Sequence, residues 1–215
     1  TSTSIDLALG LAKARDLKGE RENIIAVIGD GSLSGGEALE GLNIAGDLPT
    51  NFIILVNDNQ MSIAENHGGL YRNLEELRDT EGRAENNLFR AMGLDYLYLP
   101  NGNDIASLAA AFEKVKDIGH PIVLHINTEK GKGYPPAERD KEKWHWHLPF
   151  DIETGETKEE YRDEGEDYES ETAKFLLKIS PRKDGKGPER DRGQLRRPRR
   201  AGLYEGAPGE SRKAV

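Results

Sequence analysis

The fold class follows from one stretch of the sequence, residues 27–63: VIGDGSLSGGEALEGLNIAGDLPTNFIILVNDNQMSI. The stretch contains two short apolar runs, and each ends in a polar triplet: GDG at residues 29–31 and NDN at residues 57–59. Between the triplets, GGEALEGLNIAG places apolar side chains at helical spacing. A buried strand, a helix and a second buried strand are therefore predicted in succession, which is the repeating unit of a parallel sheet.

The same alternation of apolar runs and helical patterns continues through residue 128. Ile105, Leu108, Phe112 and Val115 fall on the predicted apolar face of one helix. Helices are predicted over residues 4–17, 35–46, 70–79, 84–93 and 104–117, and strands over residues 23–28, 52–56, 95–99 and 121–128. We therefore predict an α/β fold, a doubly wound, mostly parallel sheet flanked by helices on both faces. Ligands of such sheets bind at the carboxyl ends of the strands.

Composition narrows the class of protein. The 215 residues include no cysteine, which excludes disulfides and Cys-ligated zinc and fits a reducing cytoplasm. A net charge of −9 argues against nucleic acid as the main partner. No apolar run is long enough to span a membrane, and the first residues do not resemble a signal peptide. We expect a cytoplasmic protein that binds neither membranes nor nucleic acid.

The last 35 residues differ from the rest of the chain. Residues 181–215 carry eleven Lys and Arg against five Asp and Glu, with many Gly and Pro and few large apolar residues. Such a composition cannot bury enough surface to offset the loss of chain entropy. A basic, disordered tail is predicted; an RNA- or membrane-binding arm, or a terminus outside the native reading frame, are the alternatives.

The two polar triplets provide candidate metal ligands. Asp30 and Asn59 each follow a predicted strand, so both side chains reach the same edge of the sheet if those strands are near neighbours. Carboxylate and amide oxygens suit Mg²⁺ or Ca²⁺. Glycines at 29, 31, 35 and 36 allow backbone N–H groups to approach a phosphate. The pair predicts a metal–diphosphate site, although either triplet alone is more often an ordinary turn.

Several motifs of the sequence resemble those of a known family. GDG at residues 29–31 followed by NDNQMSIAEN, with GHPIVLHINTEKGKGYPPAE further along, is similar to the 1-deoxy-D-xylulose-5-phosphate synthases, thiamine-diphosphate-dependent relatives of transketolase. The resemblance covers roughly residues 1–175. It implies the thiamine-diphosphate-binding fold, Mg²⁺ as metal, a homodimer, and a reaction that condenses pyruvate with glyceraldehyde 3-phosphate and releases CO₂.

The resemblance also implies roles for individual residues. The side chains of Asp30 and Asn59 and the carbonyl of Met61 correspond to Mg²⁺ ligands, and Asn59 also counts among the residues that bind the cofactor. The backbones of Gly31 and Ser32 correspond to contacts with the diphosphate.

Further along the chain, Tyr134 corresponds to a cofactor-contacting tyrosine, and His145 to an active-site histidine eleven residues later. The remaining histidines are weaker candidates. His147 is a second choice, His67 is expected on the surface, and His120 and His125 are expected to be structural.

Three departures from the family pattern shape the expected domain organisation. The family's upstream histidine segments do not precede Thr1, and the insertion that usually follows the metal motif is shortened, because NNLFRAMGLDY begins at residue 86. Residues 1–165 are predicted to bind thiamine diphosphate and Mg²⁺, residues 166–180 to begin a second domain, and residues 181–215 to form the tail. We expect this sequence to lack the family's pyrimidine-binding domain, with its essential glutamate.

We therefore expect the polypeptide to be inactive unless a homodimer or a complementary chain supplies the pyrimidine-binding domain. One alternative is the N-terminal subunit of a split transketolase that acts on sugar phosphates. The other alternative is a non-catalytic remnant of the fold.

Overall fold

The computed structural model describes residues 1–158, residue 160 and residues 168–179. The chain divides into two compact units, Thr1–Arg162 and Asp163–Val215. In the second unit, the described part is one helix, Tyr168–Ile179 (α8), at the place where the sequence predicts the start of a second domain. The predicted disordered tail at residues 181–215 lies outside the described residues.

A four-stranded parallel sheet forms the centre of the first unit, with the strand order β1-β2-β4-β3. The elements are α1 (Ser4–Lys18), β1 (Ile25–Gly29), α2 (Asp30–Leu33), α3 (Gly36–Ala45), β2 (Phe52–Asp58), α4 (Gly69–Asp79), α5 (Leu88–Ala91), β3 (Asp95–Leu99), α6 (Ile105–Val115), β4 (Pro121–Asn127), α7 (Pro135–Arg139) and a 3-10 turn (Lys143–His145). The predicted α/β class and the parallel pairing are confirmed.

The core consists of two layers because the side chains of a strand alternate between the faces of the sheet. Ile54 and Val56 of β2 pack with helices α1, α3 and α4 on one face. Ile53 and Leu55 of the same strand face helix α6 on the other. Both faces therefore carry helices, as the nearly continuous apolar run of β2 predicts.

Three local predictions differ from the structure. The helix predicted over residues 84–93 is only one turn, α5, because the Asn87 side chain caps it by accepting from the N–H groups of Phe89 and Arg90. Ile105 was expected on the buried face of α6 but is 83% exposed, since it lies in the first turn at the end of the sheet. The first triplet is not a loop: Gly29 ends β1 and Asp30 begins α2.

Within the described ranges, none of the helices is both long and apolar enough to cross a bilayer.

Candidate functional site

The two polar triplets meet at the carboxyl edge of the sheet. Strands β1 and β2 are direct neighbours, and Gly29 pairs with Asn57 in the ladder. Asp30 begins α2 immediately beyond β1 and is 2% exposed. The segment after β2 packs closely against Gly31 of the first triplet. A Cβ atom added at Gly31 would lie only 2.8 Å from Cβ of Ser62. Glycine is required at residue 31 by this close approach.

Residues 59–66 form a tight turn with several backbone hydrogen bonds. The Asn59 side-chain oxygen accepts from the N–H of Met61 at 3.2 Å. Gln60 adopts a left-handed conformation, with φ of 68°, and its carbonyl accepts from the N–H of Asn66 at 3.2 Å. Met61 forms an antiparallel bridge with Glu65. The turn holds Asn59 and Met61 in defined positions at the end of β2.

The carboxylate of Asp30 is held by two donors. One oxygen accepts from the backbone N–H of Gly31 at 2.8 Å, and the other accepts from the amide of Asn66 at 3.0 Å. Burial, followed by the negative charge of Asp58, raises the pKa of Asp30 to about 6. A buried carboxylate beside a second carboxylate is a place where a cation lowers the electrostatic energy.

Asp58 is the second carboxylate, and a network of buried side chains surrounds it. Its Oδ2 atom accepts from Arg78 and lies 2.9 Å from Nε2 of His125. The ring nitrogen Nδ1 of His125 lies 2.6 Å from the hydroxyl of Tyr96. Burial raises the pKa of Asp58, but the hydrogen bond to His125 and the charge of Arg78 outweigh burial and hold the pKa below its usual value.

The basic loop after β4, which contains Lys130, contacts the 59–66 turn. The side-chain nitrogen of Lys130 donates to the carbonyl of Ser62 and lies 3.0 Å from Nδ1 of His145. Burial lowers the pKa of Lys130, while the negative charges of Asp30 and Glu142 oppose that shift. Lys130 thus connects His145 to the turn that lies over Gly31.

Tyr134 lies in an aromatic cluster with Trp144, His147 and Phe150. Its ring centroid is 5.0 Å from that of Trp144 and 5.8 Å from that of Phe150. Its hydroxyl donates to the carbonyl of Ile152 at 3.1 Å. His147 stacks on Trp144, with ring centroids 4.5 Å apart, whereas His145 makes its contact with Lys130. The two neighbouring histidines therefore have different surroundings.

A broad cleft of about 1230 Å³ opens on the other side of the 59–66 turn. Asn59, Met61 and His67 are among its lining residues, together with α4 and the loops after β3 and β4. The lining does not include the other predicted site residues, which are Asp30, Gly31, Ser32, Tyr134 and His145. Asn66 also lines this cleft, and its amide donates to the buried carboxylate of Asp30 at 3.0 Å.

The structure brings together Asp30, Gly31 and the turn that carries Asn59 and Met61. Ser32, in α2, accepts from the hydroxyl of Ser2 through its carbonyl at 2.8 Å. His120 pairs with Asp95 at 2.7 Å, where both side chains are more than half exposed.

Sequence reasoning missed Asp58, Asn66 and Arg78. Asp58 and Asn66 stand inside the motif NDNQMSIAEN, so a signal was present for those two. Arg78 carries no distinguishing pattern.

The residues at this edge fit a divalent cation bound with a diphosphate. Across residues 1–158, 160 and 168–179, no three His, Cys, Asp or Glu side chains gather so that they could hold a metal ion. A cation here would therefore rely on one carboxylate, amide and carbonyl oxygens, and oxygens of a phosphate group. Mg²⁺ prefers such sites, with one or two protein carboxylates and substrate phosphates.

Comparison with known proteins gives consistent results. The sequence model of a family described as 1-deoxy-D-xylulose-5-phosphate synthase matches residues 1–86 and 78–128. The synthase 1 of Geobacter metallireducens is 42% identical over 191 residues, covering 72% of this chain and 31% of that protein. The synthase of Clostridium tetani is 38% identical over 216 residues, covering 84% of this chain and 34% of that protein. The chain thus spans about a third of the length of these curated relatives.

Among solved structures, a transketolase from Campylobacter jejuni matches with a TM-score of 0.48 and 23% sequence identity. The match covers 63% of this chain and 20% of the transketolase chain.

Proposed function

The chain belongs to the 1-deoxy-D-xylulose-5-phosphate synthase family, and we propose that residues 1–165 hold Mg²⁺ and the diphosphate end of thiamine diphosphate. The observation that carries this proposal is the buried carboxylate of Asp30, placed beside Asp58 under the turn that contains Asn59 and Met61. A cation at this position would balance two neighbouring carboxylates.

In the proposed site, Asp30, the Asn59 side chain and the Met61 carbonyl bind the cation. Each oxygen of Asp30 accepts one hydrogen bond in the structure, so each retains a lone pair. Gly31 and Ser32 follow Asp30 in α2, and the N–H of Gly31 donates to the Asp30 carboxylate at 2.8 Å. They are the proposed contacts of the diphosphate.

We propose His145 as the active-site histidine and Tyr134 as a cofactor contact. Because Lys130 is a donor only, its contact with Nδ1 of His145 makes that nitrogen the acceptor. The neutral imidazole then carries its proton on Nε2, from which it can donate to a substrate oxygen. When bound, thiamine diphosphate supplies the electron sink for cleaving and forming carbon–carbon bonds.

The proposed reaction is the condensation of pyruvate with glyceraldehyde 3-phosphate, with loss of CO₂, which serves the synthesis of isoprenoid and thiamine precursors. It would use the pyrimidine-binding domain expected from the resemblance, either within a homodimer or on a complementary chain. Cytoplasmic location is part of the same proposal. The absence of cysteine supports it.

Calorimetry with Mg²⁺ and thiamine diphosphate tests the cofactor proposal. We expect heat of binding when both are present, and none with thiamine diphosphate in excess chelator. Asp30→Ala should abolish the metal-dependent heat, while Asp117→Ala, which removes an exposed carboxylate of the same chain, should leave it unchanged. Absence of binding by the wild-type chain, even with a pyrimidine-binding domain supplied, would indicate a non-catalytic remnant.

A split transketolase is the enzyme alternative, and its substrates distinguish it. The motifs NDNQMSI and KGKGYPPAE favour the synthase. The complemented chain should consume pyruvate together with glyceraldehyde 3-phosphate and release CO₂. Turnover of a ketose phosphate donor, without turnover of pyruvate, would favour the transketolase instead.

A further inference from the structure

We propose that His125, supported by Tyr96, is a positioning residue for the turn that carries Asn59 and Met61, and that it acts through the carboxylate of Asp58. The inference rests on the proposed function, in which Asn59 and Met61 contribute cation ligands. It assigns a role to a buried histidine that sequence reasoning treats as structural only.

The network crosses three adjacent strands of the sheet. Tyr96 lies in β3, His125 in the central strand β4, and Asp58 at the end of β2. The hydroxyl of Tyr96 is 2.6 Å from Nδ1 of His125, and Nε2 of His125 is 2.9 Å from Oδ2 of Asp58. His125 and Asp58 are completely buried. Their contacts are therefore shielded from competing water.

The chemistry of the groups sets the direction of each hydrogen bond. The carboxylate of Asp58 can only accept, so the proton of the neutral imidazole lies on Nε2, and Nδ1 accepts from the Tyr96 hydroxyl, which burial keeps a phenol by raising its pKa. The neutral imidazole then donates from Nε2 to Asp58. Arg78 donates to the same oxygen of Asp58. The orientation of the carboxylate is thus determined by two side chains that approach from β4 and α4.

The second oxygen of Asp58 transmits this orientation to the turn. Oδ1 accepts from the backbone N–H of Gln60 at 3.0 Å. Gln60 is a non-glycine residue in the left-handed region, with φ of 68°, a conformation that needs support from its surroundings. Since Gln60 stands between Asn59 and Met61, its conformation decides where both proposed ligands point.

Simple packing does not explain this arrangement. The position two residues before His125 lies on the same face of β4 and is filled by the buried apolar side chain of Val123. Replacing a buried polar network with apolar groups is often neutral or stabilising. Hydrogen-bond partners outside the ligand set orient the ligands of metal sites, and this network ends on the backbone N–H of Gln60, between two proposed ligands.

Two matched pairs of variants test the inference. Tyr96→Phe removes the hydroxyl that contacts His125 and keeps the ring, which stacks on Phe89. Tyr98→Phe is its control, because Tyr98 contacts the same imidazole through its ring alone in the described structure. His125→Leu removes the donor to Asp58, and His125→Gln retains an N–H group that can restore it.

The first measurement is hydrogen exchange of the Gln60 amide in the metal-free chain, followed by NMR. We expect exchange about tenfold faster in His125→Leu, and about three- to tenfold faster in Tyr96→Phe, the effect of losing one hydrogen bond. Tyr98→Phe should match the wild type, and His125→Gln should recover most of the protection. The second measurement is the affinity for Mg²⁺ with thiamine diphosphate, which should fall about 10- to 100-fold in His125→Leu.

Unchanged Gln60 exchange and unchanged affinity in folded Tyr96→Phe and His125→Leu would overturn the inference. If His125→Leu does not fold, the comparison of Tyr96→Phe with Tyr98→Phe decides. If the wild-type chain binds no cofactor, the proposed function fails. The exchange of Gln60 then still shows whether the network positions the turn.

Discussion

The side-chain nitrogen of Lys130 lies 3.0 Å from Nδ1 of His145 and also donates to the carbonyl of Ser62. This contact joins the loop after β4, the 3-10 turn at residues 143–145 and the turn that follows β2. It places a half-buried cation next to Asp30, whose negative charge opposes the lowering of the Lys130 pKa by burial. Lys130 therefore links the turn that carries the proposed metal ligands to the proposed active-site histidine.

Replacement of Lys130 should weaken binding of the cofactor. Lys130→Met removes the donor to Ser62 and the cation near Asp30, and we expect the affinity for thiamine diphosphate with Mg²⁺ to fall about tenfold, the scale of one charged hydrogen bond. Calorimetry measures the change. Lys132→Met is the matched control, since Lys132 pairs with Glu129 at 2.9 Å. Equal effects of the two substitutions would show that the contact of Lys130 is unimportant.

Neutralising Asp30 should stabilise the metal-free chain near pH 7. Its pKa of about 6 in the folded state lies above the ordinary value of 3.8, so the folded state binds more protons and loses stability as the pH rises through that window. Asp30→Asn should therefore raise the free energy of unfolding at pH 7 by about 1 to 3 kcal/mol, with little effect below pH 4. Urea denaturation in chelator measures both values. A loss of stability at pH 7 would contradict the assignment.

Binding of Mg²⁺ should depend on pH through the same carboxyl group. A cation binds the carboxyl group in its ionised form. One pH unit below its pKa, most of the carboxyl group is protonated and cannot bind the cation. With the pKa of Asp30 near 6, the affinity should fall about tenfold between pH 7 and pH 5. Titration calorimetry in matched buffers provides the measurement. An affinity that stays constant over this range would show that Asp30 is not a ligand.

A side chain at Gly31 should separate the two halves of the site. Gly31→Ala places its Cβ 2.8 Å from Cβ of Ser62, below normal contact distance. The turn must shift, and we expect a loss of about 1 to 3 kcal/mol in stability together with weaker cofactor binding. Gly29→Ala is the control, because no atom lies within 4 Å of the added Cβ. Comparable losses in both variants would remove the steric explanation.

The fold also makes a prediction away from the site. Arg15 is 6% exposed and donates to the carbonyls of Glu22 and Asn51 at 2.8 and 2.9 Å. Arg15→Ala leaves both carbonyls without this donor and should lower the free energy of unfolding by about 2 to 4 kcal/mol in urea. The exposed Arg21 provides a control substitution to alanine. A change below about 0.5 kcal/mol would be the size of an ordinary surface substitution and would contradict the role of Arg15.

The order of the strands and main helices, and the sheet edge of the proposed site, follow from the sequence by itself. The apolar run of β2 is continuous because the strand is buried on both faces, and this pattern is local. Because β1 and β2 are parallel neighbours, Asp30 and Asn59, which follow their carboxyl ends, lie at the same edge of the sheet. The roles of the individual site residues remain predictions.

The side chains that surround those residues come from distant parts of the sequence and are known only from the tertiary structure. Asp58 and His125 are separated by 67 residues and meet because β4, not β3, lies beside β2. Lys130 meets His145 because a turn and a short helix bring the chain back on itself. Strand order and loop conformation follow from long-range packing, in which each contact depends on the others. A local pattern of residue types carries no information about such contacts, and so the buried network behind the site became visible only in three dimensions.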